Sequence, residues 1–470
     1  MTITAETIVA LIPEIVAVVF LMFVLMVGVF MERSPGISAG LAALGALAVF
    51  GSSAYLMAVG FEGEFFGGGF VVDGFALFFK LIVSASAFFT ILAAARWSGG
   101  TGDAPEYLTL ILSVVAGSIL LVSMRDLFGI FLAIELATIP SYALVAFDRS
   151  RRESAEGGMK YLLTGVIASS VLLYGIVLIY GISGSANLAD VAEVFTGSLS
   201  PVALLGLVLL VSCFAFKVSA APFHFWTPDA YQGAPTSAAA FLSVAPKAAT
   251  FAVLLRILLE GMPEAAPTWT AVMAFLAILT MFVGNLFALR QRNVRRMLAY
   301  SSVAHSGYIL AAFAALQGPA VATGVQAIMI YSVAYAVMNL GAFFVIGIVG
   351  EDGKNYNGLV KARPGVAISM FIFMAALVGL PPLSGFWGKF YVILAGAQSG
   401  SILVYVVVAA VVVNSVLSVP YYFGIIRNML FEEPTADTSQ AKGTGAAEVS
   451  VYVLAAATAL LFLVMGPLSA

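Results

Sequence analysis

Residues 200–233 read SPVALLGLVLLVSCFAFKVSAAPFHFWTPDAYQG. The run opens as an ordinary membrane helix, but it is longer than the roughly 20 residues one span needs. Lys217 stands inside it, and Pro222, His224 and Pro228 follow. A proline at membrane depth frees a backbone carbonyl, which is tolerated only where the broken helix lines protein or water. Residues 365–398 repeat the pattern, with Gly379, Pro381, Pro382 and Gly385 before Lys389. The two runs are the seventh and twelfth in order along the chain, an odd step of five, so they cross the membrane in opposite directions. Paired broken helices in oppositely oriented halves point to an inverted repeat around a midplane ion path. Proline kinks are common in membrane helices, but each kink here lies beside a lysine.

The composition agrees. Of 470 residues 62% are hydrophobic and 10% charged, against roughly 25% charged in a soluble domain. The mean hydropathy is +1.06. A soluble fold of this length needs a polar surface that this chain cannot supply. The net charge of −3 offers no basic face for nucleic acid. Cys213 is the only cysteine, which excludes an intrachain disulfide, iron–sulfur ligation and a cysteine zinc site. Two histidines argue against haem and multi-histidine metal centres, and no Gly-rich phosphate loop is present. The start, MTITAETIVALIPEIVAVVF, lacks a cationic n-region and reads as a retained first span.

The apolar runs divide into about fourteen candidate helices, near 8–31, 36–60, 74–97, 105–124, 126–147, 158–182, 200–233, 235–259, 267–290, 297–317, 319–350, 365–398, 401–428 and 447–468. The predicted fold is an all-α polytopic membrane protein. Loops after the odd spans 1, 3, 5, 9, 11 and 13 carry Arg33, Arg96, Arg149, Arg151, Arg152, Arg290, Arg292, Arg295, Arg296, Lys354, Lys361, Arg363, Arg427 and Lys442. The opposite side holds Arg125 and Arg256. This bias places both termini outside.

The five remaining basic residues are Lys80, Lys160, Lys217, Lys247 and Lys389, in or at the edge of spans. Glu135 is a midspan carboxylate in FLAIELATIPSYALVAF. An ionisable residue inside a span is a functional hypothesis by default. Burial disfavours the charged form of an amine and a nearby carboxylate restores it. A Glu/Lys pair whose separation changes is therefore a protonation switch, and lysines joined by water can pass protons sideways. Arginine, always charged, suits this less. The alternative for Glu135 with Lys217 is an ion pair gluing helices. Lys160 either functions or snorkels to the interface. Lys80 is expected to snorkel or meet a partner, and Glu14 to have a local partner. His224 either relays protons or caps freed backbone groups. His305, among Ser301, Ser302, Ser306 and Tyr308, fits a proton wire, with helix packing as the alternative. The polar loop 431–448 and the Gly-rich, acidic stretch 61–73 are too short for a catalytic domain.

These residues carry a resemblance. DGFALFFK (73–80), FLAIELATIPSYALVAF (131–147), EGGMKYLLTGVIASSVLLYG (156–175), FKVSAAPFHFWTPDAYQGAPTSAAAFLSVAPKAATFAVLLR (216–256), GNLFALRQRNVRRMLAYSSVAHSGYIL (284–310), YAVMNLGAF (335–343) and GLPPLSGFWGKFYVI (379–393) are similar to the antiporter-like N subunits of proton-pumping NADH–quinone oxidoreductase, respiratory complex I. The resemblance covers about residues 73–430. In the related M subunits a glutamate stands where this chain has Lys389, and L subunits end in a long lateral helix. Arg295-Arg296 departs from the usual Lys-Arg.

The resemblance implies fourteen helices, with N-terminal helices in 1–104, two inverted five-helix units in 105–260 and 261–430, and a polar loop with a last helix in 431–470. It implies that Glu135, Lys217, Lys247 and Lys389 carry proton translocation, with Lys160, His224 and His305 secondary. It implies no cofactor or metal on this chain, with NADH, FMN, iron–sulfur clusters and quinone on other subunits. Implied partners are the M subunit, small membrane subunits such as K and J, a peripheral redox arm reached indirectly, and the bilayer of a prokaryotic plasma membrane. An Mrp-type cation/proton antiporter subunit is the rival reading, and ferredoxin-, deazaflavin- or plastoquinone-linked relatives stay open because electron input occurs on other chains.

Overall fold

The computed structural model describes residues 4–30, 35–94, 103–197, 199–434 and 445–466. Of the residues read above, Arg33, Arg96 and Lys442 lie outside these, as does most of the polar loop. The helices are α1 (Ala5–Ala10), α2 (Ile12–Phe30), α3 (Pro35–Ala58), α4 (Gly74–Ala94), α5 (Ala104–Val122), α6 (Leu127–Val145), α7 (Arg152–Ser183), α8 (Leu188–Val194), α9 (Pro201–Lys217), α10 (Trp226–Gly233), α11 (Thr236–Arg256), α12 (Ala266–Ala288), α13 (Val294–Ala314), α14 (Val321–Val349), α15 (Leu359–Ala362), α16 (Pro364–Val378), α17 (Ser384–Gln398), α18 (Ile402–Phe431) and α19 (Gly445–Met465). Among the described residues, eleven helical segments are long and apolar enough to cross a membrane. Two shorter apolar helices, α9 and α16, are the first halves of the two interrupted runs.

Sequence signals explain the helix ends. Ser200 accepts from the Ala203 N–H and Pro201 occupies the first turn of α9. Asp126 accepts from the Gly129 N–H and starts α6 directly after the tight turn at Arg125. Asn293 caps α13 through the Arg296 N–H. α9 stops at Lys217, where the chain unwinds over 218–225 and Ser219 takes φ 64°. α16 stops before Gly379, which takes φ 93°. The peptides Ala221–Pro222 and Pro381–Pro382, one in each interruption, are cis.

One element departs from an all-helical reading. The stretch 61–73 forms a small antiparallel hairpin, β1 (Gly63–Phe65) paired with β2 (Phe70–Val72). Its turn needs left-handed backbone at Gly67 and Gly68, with φ 68° and 85°, and glycine adopts that at little cost.

The chain divides into two compact units. The first is Met1–Val218 with Ala245–Ala266, and the second is Ser219–Val244 with Pro267–Ala470. In the first, α2 packs on α3 and α5, α5 on α6, and α7 on α6 and α9. In the second, α14 packs against α13, α16, α17 and α19, and α18 against α16 and α17. Small residues let the helices approach closely. A Cβ at Gly117 of α5 would lie 2.3 Å from the Ala137 backbone nitrogen of α6. Leu132, Ile139, Leu163 and Ile167 are exposed along α6 and α7. Such a surface suits lipid or a membrane partner, not water.

Candidate functional site

In the first unit, the structure brings together the two residues singled out as a pair. Glu135 lies at the middle of α6, and Lys217 is the last residue of α9. Lys217 Nζ is 3.9 Å from Glu135 Oε1. Its hydrogen bond goes instead to Thr138 Oγ1, at 2.8 Å. Thr138 shares the Glu135 face of α6, three residues on. Glu135 Oε1 in turn accepts from Ser169 Oγ of α7 at 2.5 Å. Each charged group therefore has a neutral hydroxyl partner besides its counter-ion. The ammonium is buried, while the carboxylate keeps 21% of its side chain exposed.

Lys247 is buried on α11, directly after Pro246, in the same unit. The Thr250 hydroxyl donates back to the Pro246 carbonyl of its own helix at 2.7 Å. Lys160 differs from the other lysines. It is 46% exposed and pairs with Glu156, one turn away, at 2.6 Å.

In the second unit, Lys389 is buried on α17 and reaches back across the interruption. Its Nζ donates to the carbonyls of Val378 at 2.7 Å and Leu377 at 3.4 Å. These are the last carbonyls of α16, a helix C-terminus where the macrodipole favours a cation. The ammonium also lies 4.5 Å from the Tyr308 ring centroid. His305 is buried on α13 between two phenols, with Nδ1 2.9 Å from the Tyr331 hydroxyl and Nε2 3.2 Å from that of Tyr422. Tyr422 also bonds Ser301. Ser306 instead bonds back to the Ser302 carbonyl of its own helix. His224 is buried in the unwound 218–225 stretch beside Phe225, and its Nδ1 has no hydrogen-bond partner among the described residues.

Several pairings were not foreseen. Of the two readings for Lys80, snorkelling or a partner, the structure gives the partner. Lys80 is fully buried and bonds Glu14 of α2 at 2.5 Å. In the sequence each stands six residues into its apolar run, 8–31 and 74–97, on first and third runs that read in the same direction, a signal that could have matched them. Arg125 and Arg256, read as topological charges, form one cluster. Arg125 bonds Glu260 at 2.6 Å and Glu64 at 2.5 Å, and Arg256 bonds Glu260 at 2.7 Å and Asp73 at 2.9 Å. Burial pulls the Arg125 guanidinium down, but Glu260 and Glu64 outweigh it and leave its pKa raised. The cluster ties the hairpin and the start of α4 to the end of α11. In the second unit, Arg295 bonds Gln232 and Ala234 carbonyls and the Thr236 hydroxyl, and Arg296 bonds Asp229. They anchor α10 as well as carrying positive charge.

Among the described residues, no group of three His, Cys, Asp or Glu side chains could hold a metal ion. The arrangement can hold and move protons on buried amines, a carboxylate, phenols and imidazole.

Residues 124–418 match the family described as NADH:quinone oxidoreductase/Mrp antiporter, TM. The chain is 71% identical to the NADH-quinone oxidoreductase subunit N of Rubrobacter xylanophilus, over all of this chain and 98% of that one. It is 31% identical to a chain in the solved structure of respiratory complex I from Thermus thermophilus with bound aureothin, with a TM-score of 0.82 and 97% of both chains covered. It shares its fold with a chain of the Mrp complex from Dietzia sp., at 23% identity and a TM-score of 0.85, covering 98% of this chain and 96% of that one.

Proposed function

The chain belongs to the NADH-quinone oxidoreductase subunit N family, and from that premise we propose that it translocates protons in the membrane arm of such an oxidoreductase, through its buried Glu, Lys and His residues. The observation that carries this is the Glu135–Lys217 pair, 3.9 Å apart inside the apolar helix set, with each partner held by a neutral hydroxyl. Structural glue would close such a gap, because a buried ion pair is tolerated only when geometry is good. A gap with alternative partners lets the pair open and close at small cost.

Quinone reduction on other chains alters the charge at one end of the subunit. Glu135 and Lys217 then separate or approach, and Lys217 exchanges a proton with Lys247. Lys389 releases or receives protons through the second half-channel. Lys160, His224 and His305 act secondarily. The four-part division at residues 104, 260 and 430 frames this reading, with the two middle parts as inverted five-helix units.

The subunit works as part of a translocase without a redox centre of its own. NADH, FMN, iron–sulfur clusters and quinone belong to other subunits. Its neighbours are the M subunit and small membrane subunits such as K and J. It is an integral protein of a prokaryotic plasma membrane, with both termini outside. An Mrp-type antiporter subunit is the second reading, favoured by the shared fold. Co-purification with a peripheral redox arm in mild detergent separates the two.

The decisive experiment is Glu135→Ala and Lys217→Ala in the assembled complex, with proton uptake followed in membrane vesicles. Pumping should fall sharply while the complex stays intact. Normal pumping in an intact complex overturns the reading.

A further inference from the structure

Asn285 and Asn414 take no part in the route described so far. Asn285 stands on α12 and Asn414 on α18, and both are fully buried. Asn285 Nδ2 donates to Asn414 Oδ1 at 3.0 Å and to the Tyr308 hydroxyl at 3.3 Å. Asn285 Oδ1 accepts from the Tyr421 hydroxyl at 2.8 Å. Asn414 Nδ2 donates to the Ala410 carbonyl of its own helix at 3.0 Å. Asn285 thus stands between two phenols, and Asn414 ties it to α18.

The position of this bridge is specific. Lys389 Nζ rests on the face of Tyr308, and the hydroxyl end of that same ring meets Asn285. Polar contacts leading from Lys389 along this limb run through Tyr308, Asn285 and Tyr421. A second limb, from Tyr331 through His305 and Tyr422 to Ser301, meets the first where the Tyr421 and Tyr422 phenols bond each other.

The two limbs differ in chemistry. A hydroxyl can accept one proton and give up another, and imidazole does so through its two nitrogens. A carboxamide has fixed donors on nitrogen and a fixed acceptor on oxygen, and it neither gains nor loses a proton near neutral pH. Pores exclude protons by the donors and acceptors that line them.

We propose that the Asn285–Asn414 bridge is a proton insulator, which stops protons from leaving Lys389 along the Tyr308–Tyr421 limb. The bridge is a specificity-determining element of the second unit. This rests on the role given to Lys389 above. The competing account is that two amides simply hold α12 to α18, as interhelical amide bonds do in membranes.

The test uses the assembled complex in sealed vesicles, reading protons moved per NADH oxidised and the decay of an imposed pH gradient. Asn414→Asp and Asn285→Asp supply a group that takes up and releases protons. They should lower the ratio and speed the decay while NADH oxidation continues. Asn414→Leu, which breaks the bond without supplying a carrier, should keep both near wild type. Asn414→Ser, with a hydroxyl and room for water, should leak as the Asp variants do. Asp and Ser variants as tight as wild type overturn the inference. So does a Leu variant that leaks as much as they do, or failure of all four to assemble, since each marks the bridge as glue. Lys389→Ala is measured alongside. Normal pumping there sinks the assignment of Lys389, whereas lost pumping there with tight Asp variants sinks only the insulator.

Discussion

Lys217 Nζ lies 3.9 Å from Glu135 Oε1 yet spends its hydrogen bond on Thr138 Oγ1 at 2.8 Å. Thr138 is therefore the alternative partner that lets the ion pair loosen. Thr138→Val keeps the shape and removes the hydroxyl. The ammonium is left with Glu135 alone, so the pair tightens and pumping per NADH oxidised should slow in an assembled complex. Thr138→Ser should restore it. Vesicle proton-uptake assays check this, and an unaffected Val variant removes Thr138 from the switch.

Lys80 and Glu14 form a close, buried pair in the first unit. Removing one partner strands the other charge in a low-dielectric site, at about 3–5 kcal/mol. Lys80→Met should therefore lower the thermal stability and yield of the complex. The double variant Lys80→Met with Glu14→Leu should recover much of the loss, because no charge is left unpaired. Stability near wild type for Lys80→Met alone would contradict the pairing.

Lys389 bonds the terminal carbonyls of α16. Lys389→Arg keeps a cation at that helix end but holds its proton permanently. Assembly should survive and pumping should fall. An arginine variant that pumps normally shows that only the charge matters there, not proton release.

Gly117 faces the backbone of α6 so closely that a Cβ would lie 2.3 Å from the Ala137 nitrogen. Gly117→Ala must push α5 and α6 apart, and overpacking of this kind costs about 1–3 kcal/mol. Reduced thermal stability of the complex is expected, together with weaker pumping, because α6 carries Glu135. A neutral substitution would mean the helices are not in such close contact.

The two interrupted spans were legible in the sequence. Pro222, Pro381 and Pro382 interrupt apolar runs that are otherwise continuous, and backbone chemistry leaves few other outcomes. The helices themselves followed from apolar run length, whereas the caps at Asp126, Ser200 and Asn293 are seen in the structure. The ionisable candidates stood out because charges are rare in the chain. Thr138 and Ser169 did not stand out, because hydroxyls are common in membrane helices and only a neighbour gives them meaning. The amide bridge was hidden for the same reason, since Asn285 and Asn414 lie 129 positions apart.

Local chemistry thus determined which segments enter the membrane, where they break and which residues carry rare charges, since hydropathy, proline geometry and desolvation act within a few residues. Partner choice depended on the tertiary structure. Glu14 could have met any cation at its depth, and helix packing gave it Lys80. Arg125 and Arg256 looked like topological charges until packing drew them onto Glu260. A hydrogen bond needs its atoms within about 3 Å, and only the packed helices bring residues so distant in sequence to that range.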